Sequence, residues 1–162
     1  MVPGDMRRRE GAQGRLQLPG QSPPPPPPFS VAAGAGFTRH LATEAIDYLR
    51  LEQRFEARID EAPEFRFGVG VAELIGPEVL VQAGPRVGFG ATFCNEPDLA
   101  CEAVILFQPG IIAGENRFDF DLTAMLDLRL LVGRIFLPSI SGGFSFFGAT
   151  MVSLAGHVGL AL

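Results

Sequence analysis

Three groups of side chains in this sequence have types and spacings that can do chemistry: two cysteines, two histidines, and a run of alternating charge. Cys94 and Cys101 bracket Asn95–Ala100. Two thiols without histidine neighbours are too few for a zinc site, which takes three or four N, S or O ligands. No metal centre is expected. In an oxidising compartment the pair closes a loop as a disulfide; the other outcome is two unpaired thiols. His40 and His157 are the only histidines. Catalysis needs one of them beside a hydroxyl nucleophile and an orienting carboxylate. His157 shares a polar face with Ser153, but no His-x-Ser spacing is present. It reads as a hydrogen-bonded interior group, not a catalyst. Gly34-Ala35-Gly36 does not extend into G-x-G-x-x-G between a strand and a helix, so no nucleotide or other cofactor is expected.

The charged run is the most informative of the three. Arg50, Glu52, Arg54, Glu56, Arg58 and Asp60 take every even position, while Leu49, Leu51, Phe55, Ala57 and Ile59 take odd ones. Gln53 is the only polar residue among the odd set. Wound as a helix, these charges spread around the whole circumference and leave no apolar stripe. As a strand they form one charged face and one apolar face. The segment is a strand.

The same period of two recurs along the chain. Phe118, Phe120, Leu122, Ala124, Leu126, Leu128 and Leu130 oppose Asp119, Asp121, Thr123, Met125, Asp127 and Arg129. That length suits a tilted membrane strand of about 9–11 residues better than a globular strand of roughly 5–6. Shorter copies begin near Phe29, Phe65, Val79, Ile105, Phe136 and Val152. The total is eight strands. Ala62-Pro63-Glu64, Ile75-Gly76-Pro77, Asn95-Glu96-Pro97-Asp98 and Gly114-Glu115-Asn116 supply turn chemistry between them. Pro85 and Pro109 fall inside strands, where each removes a ladder donor, and they read as bulges. An antiparallel meander of eight long strands closes into a barrel.

Composition sets the surroundings. Mean hydropathy is +0.24, yet no run of about 18 apolar residues exists to form a spanning helix. A net charge of −5 leaves no basic footprint for nucleic acid. Residues 1–28 stand apart as a disordered tail: Arg7, Arg8 and Arg9, scattered Gly and Gln, then six prolines from Pro23 to Pro28. Such a run is an extended polyproline II spacer. No apolar segment follows the arginines, so no secretory signal is visible. Residues 29–162 form the single folded domain.

Alternation alone does not say which face is inside, but three features favour the charged one. Thirteen of 14 Phe, all but Phe147, lie on the apolar face, more rings than an eight-stranded lumen can house. Gly34, Gly36, Gly68, Gly70, Gly84, Gly88, Gly90 and Ser141 share the polar face, and small residues suit a crowded concave surface. The charges there nearly balance: Arg50, Arg54, Arg58, Arg66, Arg86 and Arg129 against Glu52, Glu56, Asp60, Glu102, Asp119, Asp121 and Asp127. An enclosed interior requires such pairing, since unpaired buried charge costs several kcal/mol. The twelve charges other than Glu102 form the expected ion-pair network of the lumen.

On this pattern, from Phe29 to Leu162, the chain resembles the small bacterial outer-membrane barrels of the OmpA/OmpX type. The resemblance implies an all-β, eight-stranded up-and-down transmembrane barrel in a Gram-negative outer membrane, both termini on the periplasmic side. It implies a monomer in outer-membrane lipid, recognised by the barrel-assembly machinery through its last strand. That strand ends His157-Val158-Gly159-Leu160-Ala161-Leu162, with Leu where the family carries an aromatic residue. The expected role is structural or adhesive, neither enzyme nor pore. A soluble lipocalin-like carrier of an apolar ligand is the alternative, and a lipid-modifying enzyme a third reading.

Overall fold

The computed structural model describes residues 27–41, 44–59, 62–146 and 150–162. Eight strands follow one another: β1 (Phe29–His40), β2 (Ile46–Ile59), β3 (Ala62–Ile75), β4 (Val79–Glu96), β5 (Leu99–Gly114), β6 (Arg117–Val132), β7 (Phe136–Ser145) and β8 (Met151–Ala161). Each pairs antiparallel with its neighbours in sequence, and β8 pairs with β1 to close the barrel. The seam is completed by reciprocal backbone bonds between Phe29 and Leu162, at 3.2 and 2.8 Å. No strand edge is left open, so the ladders find their partners within the wall, apart from one site between β4 and β5 where two prolines face each other. The termini share one end; the β1–β2, β3–β4, β5–β6 and β7–β8 connections mark the other.

Side-chain parity is that of the charged-face-inward reading. Of the 13 Phe on the apolar face, all point outward, from half-buried Phe65 to Phe120 at 76% exposure. Phe147 lies outside the described residues. Along β2, Arg50, Glu52, Arg54 and Glu56 are buried while Leu49, Leu51 and Phe55 are exposed.

Two expectations about local structure are corrected. Ala62-Pro63-Glu64 begins β3 and is not a turn. Pro85 and Pro109 are not bulges either. The β4–β5 register runs from Ala83↔Ile111 to Val87↔Phe107 without a shift, and this places the two prolines opposite each other. An antiparallel hydrogen-bonded pair exchanges two N–H···O=C bonds. Two facing prolines delete both from one site and leave the ladders to β3 and β6 in register. The shifts that do occur lie between Arg58 and Ile59 and between Thr92 and Cys94. Beyond the second, Cys94 and Cys101 face each other as a disulfide, with Cα atoms 4.9 Å apart.

The end carrying the termini is tied together. Gly133 and Arg134 make the β6–β7 turn with φ near +60°, the left-handed region. Gly133 N–H donates to Asp98 O at 2.9 Å and Arg134 Nε to Pro97 O at 2.9 Å, joining two hairpin tips. At the same end, Arg58 N–H donates to Pro28 O at 2.8 Å, so the last proline of the tail already runs beside β2.

The facing prolines generate a prediction. In the double variant Pro85→Ala/Pro109→Ala, the two new amides are expected to be protected from hydrogen exchange. Each restored bond adds about 0.5–1.5 kcal/mol, partly offset by a more flexible unfolded chain. Fast exchange at both amides shows that the strands part there.

Candidate functional site

The chemistry-bearing groups meet inside the barrel. Strand parity turns the charged face of β2 toward the axis, and three other strands send opposite charges across to it. Glu52 on β2 accepts from Arg50 Nε at 2.7 Å and from the Arg86 guanidinium of β4. Arg54 reaches across the lumen to Asp127 on β6, Nη1 to Oδ2 at 2.9 Å. Asp127 Oδ2 also accepts from Arg129 Nε at 2.6 Å, and Arg129 Nη2 lies 2.6 Å from Glu56 Oε2. Nearer the termini, Glu102 on β5 takes both Arg58 and Arg66, the latter at 3.2 Å.

Neutral groups extend these pairs. Arg50 Nη1 donates to Gln82 Oε1 at 2.7 Å. The Gln82 amide donates to Asp121 and to Thr123 Oγ1, and Thr123 meets Ser145 at 2.8 Å. Arg86 Nε donates to Gln108 Oε1 at 2.7 Å, and Arg54 donates to Ser139. Two glycines make room at the centre. A Cβ at Gly70 would collide with the Arg86 guanidinium, and one at Gly34 would collide with the His157 ring.

Apolar groups close the lumen above and below. Tyr48, Leu74, Leu80, Ile112 and Met151 pack together at the end away from the termini. Ala100, Leu131, Leu137 and Ala161 pack at the other end, beside a cavity of about 30 Å³ lined by Arg58, Arg66, Glu102 and Pro28. That space holds a water or two and no ligand. These layers keep bulk water from the central ion pairs, where each charge depends on its neighbours for solvation.

Of the expected network residues, Arg50, Glu52, Arg54, Glu56, Arg58, Arg66, Arg86, Asp121, Asp127 and Arg129 come together inside. Asp60 lies outside the described residues. Asp119 does not join: it pairs with Arg117 at the rim, with a side chain 38% exposed. Sequence reasoning put Glu102, Thr123 and His157 on the polar face without assigning them to the network, and Gln82, Gln108 and Ser139 share that face; parity was the available signal. His157 is buried as expected, yet its Nε2 stands 3.6 Å from Glu52 Oε2 and neither ring nitrogen makes a hydrogen bond with a described residue. The expectation of a hydrogen-bonded ring is corrected on that geometry. His40, the last residue of β1, is half-buried at the opposite end. Among the described residues no three His, Cys, Asp or Glu side chains gather where a metal ion could sit.

Neither the family models nor the curated proteins compared with this chain give a match. Among solved structures the chain is similar to the crystal structure of Neisserial surface protein A (NspA). The TM-score is 0.55 at 11% sequence identity, covering 83% of this chain and 97% of that one. At that identity the likeness speaks to the fold. The fold is the closed eight-stranded barrel of the small outer-membrane barrels, as the sequence resemblance implied.

Three substitutions test this arrangement. Asp127→Asn removes the charge held between Arg54 and Arg129, and is expected to cost roughly 3–5 kcal/mol on unfolding from lipid vesicles. Asp119→Asn, at the rim, is expected to cost less than about 1 kcal/mol. Equal costs contradict the buried network. Gly70→Val, which drives a side chain into Arg86, is expected to cost about 1–3 kcal/mol, as overpacking does, and to lower the urea midpoint accordingly.

Proposed function

We propose that this chain is an outer-membrane β-barrel protein of the Gram-negative type, with a lumen filled by ion pairs and a structural or adhesive role. One observation carries the reading: the wall is apolar over most of its surface, with Arg39, Asp47, Gln53 and Glu73 as outward exceptions, while most charges of the strands are enclosed. Phe120 is 76% exposed and Asp127 is 0% exposed, on the same strand. In water, a continuous apolar surface of this kind drives association. In a bilayer it is the solvated face. Strands of 10–18 residues are long enough to cross when tilted. The likeness to a protein named as a surface protein agrees with an envelope location.

The same observation weighs against the carrier reading. A lipocalin-like carrier turns its apolar side chains inward around a ligand. Here that space is occupied by Arg86, Glu52, Arg54 and Asp127. A filled lumen also argues against a pore, since ion pairs spanning from β2 to β4, β5 and β6 block the axis. Lipid-modifying catalysis needs its histidine at the lipid face, whereas His157 points inward. Membrane lipid is then the partner of the wall, and the alternating β8 the segment offered to an assembly machinery. One chain completes the barrel, consistent with a monomer.

The reading is tested by reconstitution. Folded protein is expected to migrate differently before and after heating in detergent gels, and to pass no resolved current in planar bilayers. Leu126→Arg, on the outward face of β6, is expected to cost roughly 2–4 kcal/mol in vesicles, as arginine does against hydrocarbon. A chain that stays monomeric in buffer without detergent, with Leu126→Arg neutral, ends the membrane reading.

A further inference from the structure

The outer wall carries two polar side chains where the surrounding residues are apolar. Gln53 sits in the middle of β2, between Ala33 on β1 and Val71 on β3. Glu73 lies on β3 between Leu51 and Val81. Both are exposed, and neither has a hydrogen bond or ion pair with another described residue. The contrast with the interior is sharp, because there carboxylates are shared between guanidinium groups.

The two positions are diagonal neighbours on one face, about 7–8 Å apart. Together with Ala33, Leu51 and Val71 they line a groove of about 430 Å³. A second depression of about 300 Å³, lined by Val31, Ala33, Val158 and Leu160, meets the first at Ala33 and Gln53. Ala33 is the reason for both. A single methyl on the outward face of β1, with Val31 two positions before it and only Ala35 two positions after, leaves the wall hollow at that point. The result is a track along the wall: apolar near Leu160, a carboxamide at its middle, and a carboxylate toward the end away from the termini.

That order of groups matches one amphiphile. We propose that the track binds a membrane lipid whose headgroup carries a primary ammonium. An acyl chain fills the depression between Val31 and Leu160. The Gln53 carboxamide donates to an ester or hydroxyl oxygen of the lipid backbone. The ammonium donates to the Glu73 carboxylate. A primary ammonium has three N–H donors for such a carboxylate, and a charge-assisted bond of this kind is strongest away from water. Glu73 stands two residues before the end of β3, where a cationic headgroup supplies the counter-ion that the wall does not. The inference rests on the membrane reading above and names a lipid for it.

Native mass spectrometry on the full chain, released from nanodiscs made with equal amounts of phosphatidylethanolamine, phosphatidylcholine and phosphatidylglycerol, tests the site. The expected result is one retained phosphatidylethanolamine per barrel, in about tenfold preference over the choline lipid, which has no N–H to donate. Glu73→Gln, similar in shape, is expected to abolish the preference, and Gln53→Leu to weaken retention of all three lipids. Glu115→Gln, in the β5–β6 turn, is expected to change nothing. Equal retention of the three lipids by the unaltered protein overturns the proposal, as does a preference that survives Glu73→Gln. A two-chain species lost on Gln53→Leu also overturns it and gives the groove to a second copy. Failure to insert into nanodiscs counts against the membrane reading itself; insertion without selectivity counts against the lipid site alone.

Discussion

Every residue of a strand faces either the axis or the wall, and in this barrel the two sides are incompatible solvents. A one-residue slip of any ladder would exchange them, placing guanidinium groups against the apolar belt and phenyl rings in the lumen. The ion pairs resist that slip most directly. Arg54 meets Asp127, and Arg58 meets Glu102, across the lumen between strands that are not ladder neighbours. Register is therefore held by backbone bonds around the circumference and by charge across it.

Burial makes this arrangement demanding. Charges removed from water are stable only when their partners and hydrogen bonds replace it, and breaking one pair costs more than the pair itself contributes. The barrel meets the demand in layers. Aliphatic and tyrosine side chains close one end, alanines, leucines and the last prolines of the tail close the other, and the guanidinium and carboxylate groups lie between. β2 is the hub, because it supplies both signs of charge at alternate inward positions. What results is a solid core turned inside out: polar at the centre, apolar at the surface.

Much of this was legible in the sequence, for a physical reason. In β6 the alternation is strict from Phe118 to Leu130, and in β2 only Gln53 breaks it, so strand type, side-chain facing and charge pairing follow from parity alone. Parity does not report height along the axis, which is why Asp119 looked like its neighbours Asp121 and Asp127 although it lies at the rim with Arg117. It also fails where inner and outer residues are both apolar. Val79-Leu80-Val81 and Ile111-Ile112 read as plain apolar runs, and their inward members, Leu80 and Ile112, form the closing layer. The two prolines were misjudged because cross-strand register is a non-local property. Each looks like a defect in its own strand, and only the β4–β5 pairing shows that they share one. Gln53 was visible from the start as a polar residue on the wrong face; the hollow beside it, set by Ala33, was not.

The central claim is the direction the two faces point, and leucine provides probes on both. With nitroxide-labelled acyl chains in the membrane, paramagnetic broadening should erase the methyl NMR signals of Leu126 and Leu128 on the wall. The methyl signals of Leu80 and Leu106, inside the barrel, should persist. Broadening of Leu80 and Leu106 with Leu126 and Leu128 spared would mean that the faces are reversed.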